Sequence, residues 1–421
     1  MARVDTLIVF YHPGRPGLHK RLRAEYRGPV YIEASHPAAA LLAGVELGWE
    51  VAGLAIAPVY SSVYYWEETL KEARGDAGRL YELSSAALAK RLDLYIPPRL
   101  AGRVEVGVVP EAGMLGGWVF DATPGHTLLY TLYHVASWIS GLELGKRLRL
   151  YVEVSLAPPV AARALVDAGF VAAAWLAGMG YSVEFRVFSA PSVGPGPWRT
   201  PLVPLVEVGG APSLGPVDVV SAAVGLGHGR VVGARGGGVR VPERLARRLE
   251  GFALDARLAA LAVLLGLPHA VHALLCGAGS GGGFRLVSRL LSELVAADLR
   301  NVSIRARVEG GVVAHGLSVE WEPLLLASLW GALRDAYSWL CGEELRLDAL
   351  AGLAARLGSP GSRITSSLLK SARIVEGGCG EEALEHLLLV SGAARVEDGV
   401  LRVDAGCVRR VLSGLLAPGK S

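Results

Sequence analysis

The chain has 421 residues, of which 52% are hydrophobic and 19% are charged, with a formal net charge of +3. This composition excludes intrinsic disorder, which requires low hydrophobicity and high net charge, and 42 basic residues against 39 acidic ones do not indicate a nucleic-acid-binding protein. The longest uncharged apolar segments, Ala168–Tyr181 and Leu258–Pro268, fall short of the roughly 20 residues that cross a bilayer. No signal-peptide pattern follows Met1. We therefore expect a cytoplasmic protein with no membrane partner.

The cysteine and amide content bears on stability. The four cysteines are far apart and form no C-x-x-C pair, so the sequence predicts neither a zinc site nor a disulfide framework. Glutamine is absent, Asn301 is the only asparagine, and six of the basic residues are lysine. Few heat-labile amides are typical of a thermophilic source, although a GC-rich genome gives a similar bias.

The first half of the chain alternates strands and helices. Ser35 is a plausible N-cap of a helix that ends near Gly48, and later helices are predicted near Tyr64–Arg74 (with a further one to Lys90), Thr127–Ser140 and Val160–Gly178. The predicted strands are Thr6–Tyr11, Pro29–Glu33, Val51–Tyr60, Val104–Val109, Leu148–Ser155, Ser182–Ser189 and Leu202–Val208. This alternation predicts an α/β fold with a mainly parallel, Rossmann-like sheet.

After the Gly/Pro-rich segment Gly209–Pro216 the pattern becomes mostly helical. The predicted hairpins are Arg230–Val241, Val302–Glu320 and Ala394–Asp404. The predicted helices are Glu243–Glu250, Leu254–Cys276, Phe284–Leu299, Pro323–Leu340, Leu347–Leu357, Ser362–Ile374 and Glu381–Val390. We divide the chain into a sheet domain (1–208), a helical linker region with hairpins (209–322) and a helical domain with a C-terminal hairpin (323–421).

The sequence contains no Walker A motif, no G-x-G-x-x-G after the first strand, no H-E-x-x-H and no G-x-S-x-G. Three segments can each be interpreted in two ways. The run Gly277–Gly283 is a phosphate loop or, since it follows a helix and lacks a Lys-Ser/Thr ending, a connector. His269 and His272 are two metal ligands or a packed pair on one helix face. The segment Asp121–His126 supplies acid–base groups or caps the following helix. We expect no cofactor and no metal.

The loop after the first strand, His12–Lys20, is the strongest binding candidate. Ligands of parallel sheets lie outside the carboxyl ends of the strands. This loop brings cationic side chains and backbone amides, including those of His12, Gly14 and Arg15, to such an end, where an anion would bind. An ordinary exposed Pro/Gly loop is the alternative.

Three strand-end loops carry a family resemblance. Val108–Gly113 reads V-V-P-x-x-G, Val152–Pro158 ends in S-x-A-P, and Phe188–Ser192 reads F-S-A-P-S. Their order resembles the N-terminal ligand-sensing (CARF) domain of the CRISPR-associated CARF–HEPN ribonucleases of type III systems, whose loops carry D-x-T-H-G-x-N and N-S-D-P-Y. Here Glu153 and Ser155 keep an acidic residue and a hydroxyl of the first motif, and the second keeps its Ser and Pro. The resemblance implies a homodimer that binds cyclic oligoadenylate through His12, Gly14, Arg15, Gly113, Ser155, Ser189 and Pro191.

The end of the chain follows the same family layout. The family's R-N-x-x-x-H ribonuclease motif falls on Glu385, His386 and Val390, followed by the matching Gly392. A glutamate in place of arginine would repel the scissile phosphate, and valine cannot transfer a proton. The resemblance therefore implies a sensor, with RNA as a further partner, whose nuclease motif is lost.

Two other functions are compatible with the same residues. One is an α/β metabolic enzyme acting on a nucleotide or sugar phosphate, with Asp121–His126 and Gly277–Gly283 as its site. The other is a structural partner without a small ligand.

Overall fold

The structure is a computed structural model of the chain. It describes residues 5–14, 22–27, 31–35, 38–63, 66–94, 96–189, 198–201, 203–206, 215–276, 282–307, 310–346, 348–359, 361, 365–366, 394–397 and 400–416.

The described strands, in chain order, are β1 Thr6–Tyr11, β2 Leu22–Arg27, β3 Tyr31–Ser35, β4 Glu50–Pro58, β5 Val104–Val109, β6 Gly113–Leu115, β7 Trp118–Asp121, β8 Arg147–Glu153, β9 Ser182–Ser189, β10 Trp198–Pro201, β11 Val203–Val206, β12 Val232–Ala234, β13 Val302–Arg307, β14 Gly310–His315, β15 Leu317–Val319, β16 Ala394–Glu397 and β17 Val400–Val403.

The described helices are α1 Ala38–Glu46, α2 Val59–Ser62, α3 Trp66–Ala73, α4 Ala77–Asp93, α5 Pro124–Ser140, α6 Pro159–Gly178, α7 Pro216–Gly225, α8 Glu243–Leu265, α9 Pro268–Leu275, α10 Gly283–Leu299, α11 Trp321–Ala336, α12 Ser338–Cys341, α13 Leu350–Leu357 and α14 Ala405–Leu416.

The main sheet has six strands in the order β11-β9-β8-β1-β4-β5. Five neighbouring strands of this sheet are parallel to one another, namely β5, β4, β1, β8 and β9. Strand β11 pairs antiparallel with β9. Counted along the chain, the strands run 3-2-1-4-5-6, the order of doubly wound sheets, which reverses between β1 and β8. The predicted α/β class with a mainly parallel sheet is confirmed.

The core is built in layers on this sheet. The central strand β1 is buried at all six positions because β4 and β8 pair with its two edges and helices α1 and α6 pack against it. Helix α6 packs against β8 and β9 and also against α5 and α11, while α10 and α8 pack against α11. The α5–α6 layer therefore separates the main sheet from the helices of the second half.

A second sheet joins the two halves of the chain. Its four strands have the order β13-β14-β7-β6, and β7 pairs in parallel with β14. The predicted boundaries at residues 208 and 322 remain predictions, but sheet pairing and core packing connect the residues on either side of them.

Helix α6 is the one described helix long and apolar enough to cross a membrane by length and composition. Eleven of its residues, from Ala161 to Leu176, are buried against the rest of the protein. Core packing accounts for its apolar surface, and no membrane is needed to explain it.

Several predicted elements need correction. Ser35 ends β3 and is not a helix N-cap, since α1 begins at Ala38. Strand β3 pairs antiparallel with β2, outside the main sheet. The predicted hairpin Arg230–Val241 is wrong, since β12 pairs with the distant β15. The predicted helix Glu243–Glu250 and the first part of Leu254–Cys276 form one helix, α8, and the rest of Leu254–Cys276 forms α9. The break follows from Gly266, the C-cap of α8, which has the left-handed conformation. The hairpins β13–β14 and β16–β17 are confirmed, but α14 follows the last one.

The cysteine spacing predicted no disulfide framework, and that prediction is wrong. Cys276, after α9, is bonded to Cys341 in α12, and Cys407 is also disulfide-bonded. The first pair is 65 residues apart in sequence, so spacing could not reveal it. Disulfides occur in oxidising compartments and also inside cells of hyperthermophiles.

Candidate functional site

A cleft lies at the carboxyl ends of β1, β4 and β8, where the strand order of the main sheet reverses. Its cavity has a volume of about 410 Å³. The residues that line it are His12, Pro58, Tyr60, Ser61, Ser155, Leu156, Ala157, Pro158 and Pro159. We call this cavity the strand-end cleft. It occupies the position at which doubly wound sheets bind their ligands.

The loop after β1 forms one wall of the strand-end cleft. His12 is 1% exposed, and its Nδ1 accepts the amide N–H of Gly14 at 3.0 Å. Gly14 has a φ of +75°, and a Cβ there would lie 2.8 Å from Leu156 Cδ1 in the loop after β8. The left-handed backbone conformation therefore favours glycine at this position, and a larger residue would also displace the Leu156 side chain.

A buried arginine holds the walls of the strand-end cleft together. Arg91 on α4 is 2% exposed and donates from Nη1 to the Ser61 carbonyl at 2.6 Å and from Nη2 to the Gly14 carbonyl at 3.2 Å. Ser61 follows β4 and Gly14 follows β1, so a single guanidinium fixes two strand-end loops relative to each other.

Two buried carboxylates orient polar side chains of the cleft. Glu153, the last residue of β8, accepts the amide N–H of Ser155 at 2.8 Å and also the Ser155 hydroxyl. Glu111 accepts the Tyr60 hydroxyl at 2.9 Å. Both acids are at most 4% exposed, so they act inside the protein as acceptors that fix these donors.

The N-terminus of α6 faces the same cleft. The helix begins at Pro159, has no acidic residue in its first turn, and receives no side-chain cap from Pro158. Because Ala157, Pro158 and Pro159 line the cavity, the positive end of this 20-residue helix is directed to it.

The predicted binding residues have different outcomes. His12 and Ser155 line the cleft, and Gly14 lies in its wall. Gly113 begins β6, where an added Cβ would lie 3.0 Å from the Tyr60 ring, and Ser189 ends β9, the neighbour of β8. Arg15 and Pro191 lie outside the described residues. Sequence reasoning missed Tyr60 and Arg91, which come from helices rather than from strand-end loops.

The segment Asp121–His126 caps a helix. Thr123 precedes α5, Pro124 is its first residue, and His126 is the third. The His126 Nδ1 lies 3.0 Å from the Thr123 amide and 2.7 Å from the Thr123 hydroxyl, closing a capping box. Asp121 pairs instead with Arg235 at 2.6 Å. The capping interpretation is therefore realised in the structure.

The other edge of the His126 ring joins a buried polar network. Asp298, on α10, accepts the Tyr130 hydroxyl at 3.0 Å and His315 Nδ1–H at 2.7 Å through Oδ2, and its Oδ1 lies 3.4 Å from His126 Nε2. The Tyr81 hydroxyl lies 3.2 Å from His315 Nε2. We call these five side chains the buried network; Tyr81 and the two histidines come from α4, α5 and β14.

The electrostatics of the buried network follow from its burial. Asp298 and His126 are 0% exposed and His315 is 4% exposed. Burial lowers the pKa of His126, an effect that Asp298 only partly opposes. Burial alone would raise the pKa of Asp298, but His315 and His126 beside it hold that pKa well below its usual range. Burial, and then Asp298, raise the pKa of Tyr81 and Tyr130 well above the ordinary value.

Stability is expected to fall as the pH drops from 7 to 5. Burial lowers the folded-state pKa of His126 below its unfolded value of about 6.5. Below that pH the unfolded state binds a proton that the folded state does not, and this lowers the free energy of unfolding by at most about 2 kcal/mol at pH 5. Burial also lowers the pKa of His134 and His272, in the same direction. The ionised Asp298 does not titrate in this window.

Denaturant unfolding at pH 7 and pH 5 measures this loss. His126→Gln is expected to show a smaller loss than the wild type, and replacement of the exposed His228 by Gln is expected to leave it unchanged. Equal pH dependence in all three proteins would contradict the neutral, buried state of His126.

The other two predicted segments show no binding geometry among the described residues. Gly277–281 lie outside them, and at Gly283 the amide N–H donates to Asp335 Oδ1 at 2.7 Å. A carboxylate of the protein therefore already occupies the N-terminus of α10, where a phosphate would bind. Among the described residues, His269 and His272 belong to no group of three metal-ligating side chains.

The positions Glu385, His386, Val390 and Gly392 lie outside the described residues. The loss of the nuclease motif therefore stays a prediction from the sequence.

Comparison with models of known protein families gave no match, and a search of curated proteins found no relative of this chain.

Proposed function

We propose that the strand-end cleft binds a nucleotide and that its ligand is cyclic oligoadenylate, contacted by two copies of the chain. The observation that carries this proposal is the position of the cavity, between the carboxyl ends of β1 and β8, the neighbouring strands at which the sheet order reverses. Doubly wound sheets bind nucleotides at this point.

The electrostatics of the cleft support an anionic ligand. The N-terminus of α6 directs a positive helix end to the cleft, and its first turn carries no acidic side chain. Because Pro158 and Pro159 have no N–H, this attraction comes from the helix dipole and not from backbone donors of those two residues. At the opposite wall His12 accepts from Gly14 through Nδ1, so that Nε2 is the donor nitrogen of the neutral ring. A phosphate group suits the space between these two walls.

The size of the cleft limits what one protomer can hold. About 410 Å³ lies in the range of roughly 300–1,000 Å³ typical of small-molecule sites. One nucleotide matches this volume, whereas a ring of four or six adenylates is several times larger. A cyclic oligoadenylate would therefore bind across two clefts, which supports the homodimer implied by the family resemblance.

The proposed output is regulatory. The resemblance places Glu385 and Val390 where a ribonuclease of this family needs arginine and histidine. A dimer that senses nucleotides through its first half and does not cleave RNA is the CRISPR-associated role that fits these residues. We also propose RNA as a binding partner of the second half.

Calorimetric titration tests the proposal. Cyclic tetra- and hexa-adenylate, AMP and ATP are each titrated into the wild type, His12→Ala and the matched control His228→Ala, whose histidine is exposed and outside the cleft. One ring per two chains is the expected stoichiometry. Loss of one ligand contact is expected to weaken binding about tenfold in His12→Ala and not in the control.

The alternative outcomes distinguish other functions. Binding of AMP or ATP at one per chain, with no binding of either ring, would favour the metabolic enzyme and overturn the sensor. No heat and no thermal shift with any of the four nucleotides would remove nucleotide binding altogether.

A further inference from the structure

The buried network lies apart from the strand-end cleft, and the proposed function does not use it. We propose that His126, Asp298 and His315 bind one divalent transition-metal ion of the zinc class, which ties α5 to α10 and β14. Within the described residues, these three side chains are the one group of three or more histidine, cysteine and acidic residues whose ligand atoms lie close enough together, within 4.8 Å of one another.

One distance inside the cluster matches that of a coordination shell, whereas His315 Nδ1 lies at a hydrogen-bond distance of 2.7 Å from Asp298 Oδ2 and would have to move away from it to bind an ion. His126 Nε2 and Asp298 Oδ1 lie 3.4 Å apart, and in the described part of the chain neither atom has a hydrogen-bond partner. Tetrahedral zinc with bonds of about 2.0–2.1 Å places two ligand atoms about 3.3–3.4 Å apart. An ion between these two atoms would satisfy both.

The surroundings of the cluster match those of metal ligands. A ligating histidine usually donates its outer ring N–H to an oxygen. Here the outer nitrogen of His126 lies 2.7 Å from the Thr123 hydroxyl, and that of His315 lies 3.2 Å from the Tyr81 hydroxyl. The Thr123 hydroxyl can pass its own hydrogen to the Val319 carbonyl at 3.2 Å. Each imidazole therefore has an oxygen that can accept its outer proton.

Metal binding moves the proton of each histidine ring from the inner nitrogen, which faces Asp298, to the outer nitrogen. Neither ring gains or loses a proton. In the metal-free cluster the ring protons are on the inner nitrogens and face Asp298, and His126 Nδ1 accepts the Thr123 amide. On binding, each neutral ring carries its proton on the outer nitrogen and gives its inner lone pair to the metal. The Thr123 amide loses its acceptor, and the metal bonds offset that loss.

Charge and ligand type decide the class of ion. Asp298 is fully buried, so its carboxylate needs a compensating charge. Two imidazoles and one carboxylate suit zinc and its neighbours, whereas Mg²⁺ and Ca²⁺ prefer oxygen ligands. Because all three side chains are sealed from solvent, the role of the ion is structural. This proposal departs from the absence of metal expected from the sequence.

Metal analysis of the full-length protein tests the site. After dialysis against metal-free buffer, elemental mass spectrometry is expected to find about one zinc ion per chain. Protein stripped with a chelator and refilled with Co²⁺ is expected to show the visible absorption bands of a nitrogen- and oxygen-ligated ion. His126→Gln and Asp298→Asn are expected to lose both signals. His134→Gln is the control, because this half-buried histidine of α5 contacts the Val108 carbonyl instead.

A second measurement keeps the test decisive if a variant fails to fold. In the wild type, removal of metal by a chelator is expected to lower the thermal midpoint, and zinc is expected to restore it. Folded wild-type protein that contains no metal, takes up none from ZnCl₂ and melts at the same temperature with and without chelator would overturn the site. Either result is independent of nucleotide binding in the strand-end cleft.

Discussion

Gly125→Ala is expected to destabilise the protein by more than about 3 kcal/mol. A Cβ at this position would lie 1.8 Å from the Val319 carbonyl oxygen and 2.5 Å from its carbon. Both are backbone atoms at the end of β15, so the clash is relieved only by moving α5 away from that strand. The movement would also break the hydrogen bond from Thr123 to the same carbonyl.

Gly251→Ala is the matched control for this substitution. Gly251 lies inside α8, and nothing lies within 4 Å of the Cβ that alanine would add. Alanine there is expected to be neutral or to stabilise the protein by about 0.5–1 kcal/mol, since glycine is the poorer helix former. Denaturant unfolding of the two variants measures both effects. Similar free energies of unfolding would contradict the close approach of α5 and β15.

Asp298→Ala is expected to cost about 3–5 kcal/mol in the free energy of unfolding. The substitution removes the acceptor of His315 Nδ1–H and of the Tyr130 hydroxyl, and both donors stay buried without a partner. It also removes the residue that connects α5, α10 and β14, whose side chains belong to both halves of the chain.

Asp76→Ala separates this effect from the general loss of a carboxylate. Asp76 is an exposed N-cap of α4 that accepts the Arg79 amide at 3.0 Å, and its removal is expected to cost about 1 kcal/mol. Chemical unfolding at pH 7 compares the two variants with the wild type. A cost for Asp298→Ala no larger than that for Asp76→Ala would mean that the buried network contributes little to stability.

The parts of the fold that the sequence predicted are those with local signals. The bounds of β1, Thr6–Tyr11, were predicted at both ends because a central parallel strand is apolar on both faces and Pro13 and Gly14 follow it closely. Strands β6 and β7 were missed, since they are three and four residues long and carry no clear alternation. Strand β12 was paired wrongly because its partner β15 is far away in the chain.

The strand-end cleft was predicted in position but not in full composition. The rule that ligands bind at the carboxyl ends of parallel strands pointed to His12, and the family resemblance pointed to Ser155. Arg91 carries no such signal, since it is one of many basic residues on amphipathic helices. Its role depends on the folded contact with the carbonyls of Gly14 and Ser61.

The buried network could not be assembled from the sequence. His126 was singled out, but only the helix cap is visible locally. Tyr130 and Asp298 are 168 residues apart in the chain, and Tyr81 and His315 are 234 apart. Contacts at such separations are made by the pairing of β7 with β14 and the packing of α5 on α10, which no local pattern encodes.

Native mass spectrometry with cyclic tetra-adenylate tests the central claim, a nucleotide site shared by two copies of the chain, most directly. The expected species is two chains with one ring, absent when His12 is replaced by alanine and retained in His228→Ala. Chains that stay monomeric, or a dimer that binds no ring at concentrations where AMP binds, would contradict it.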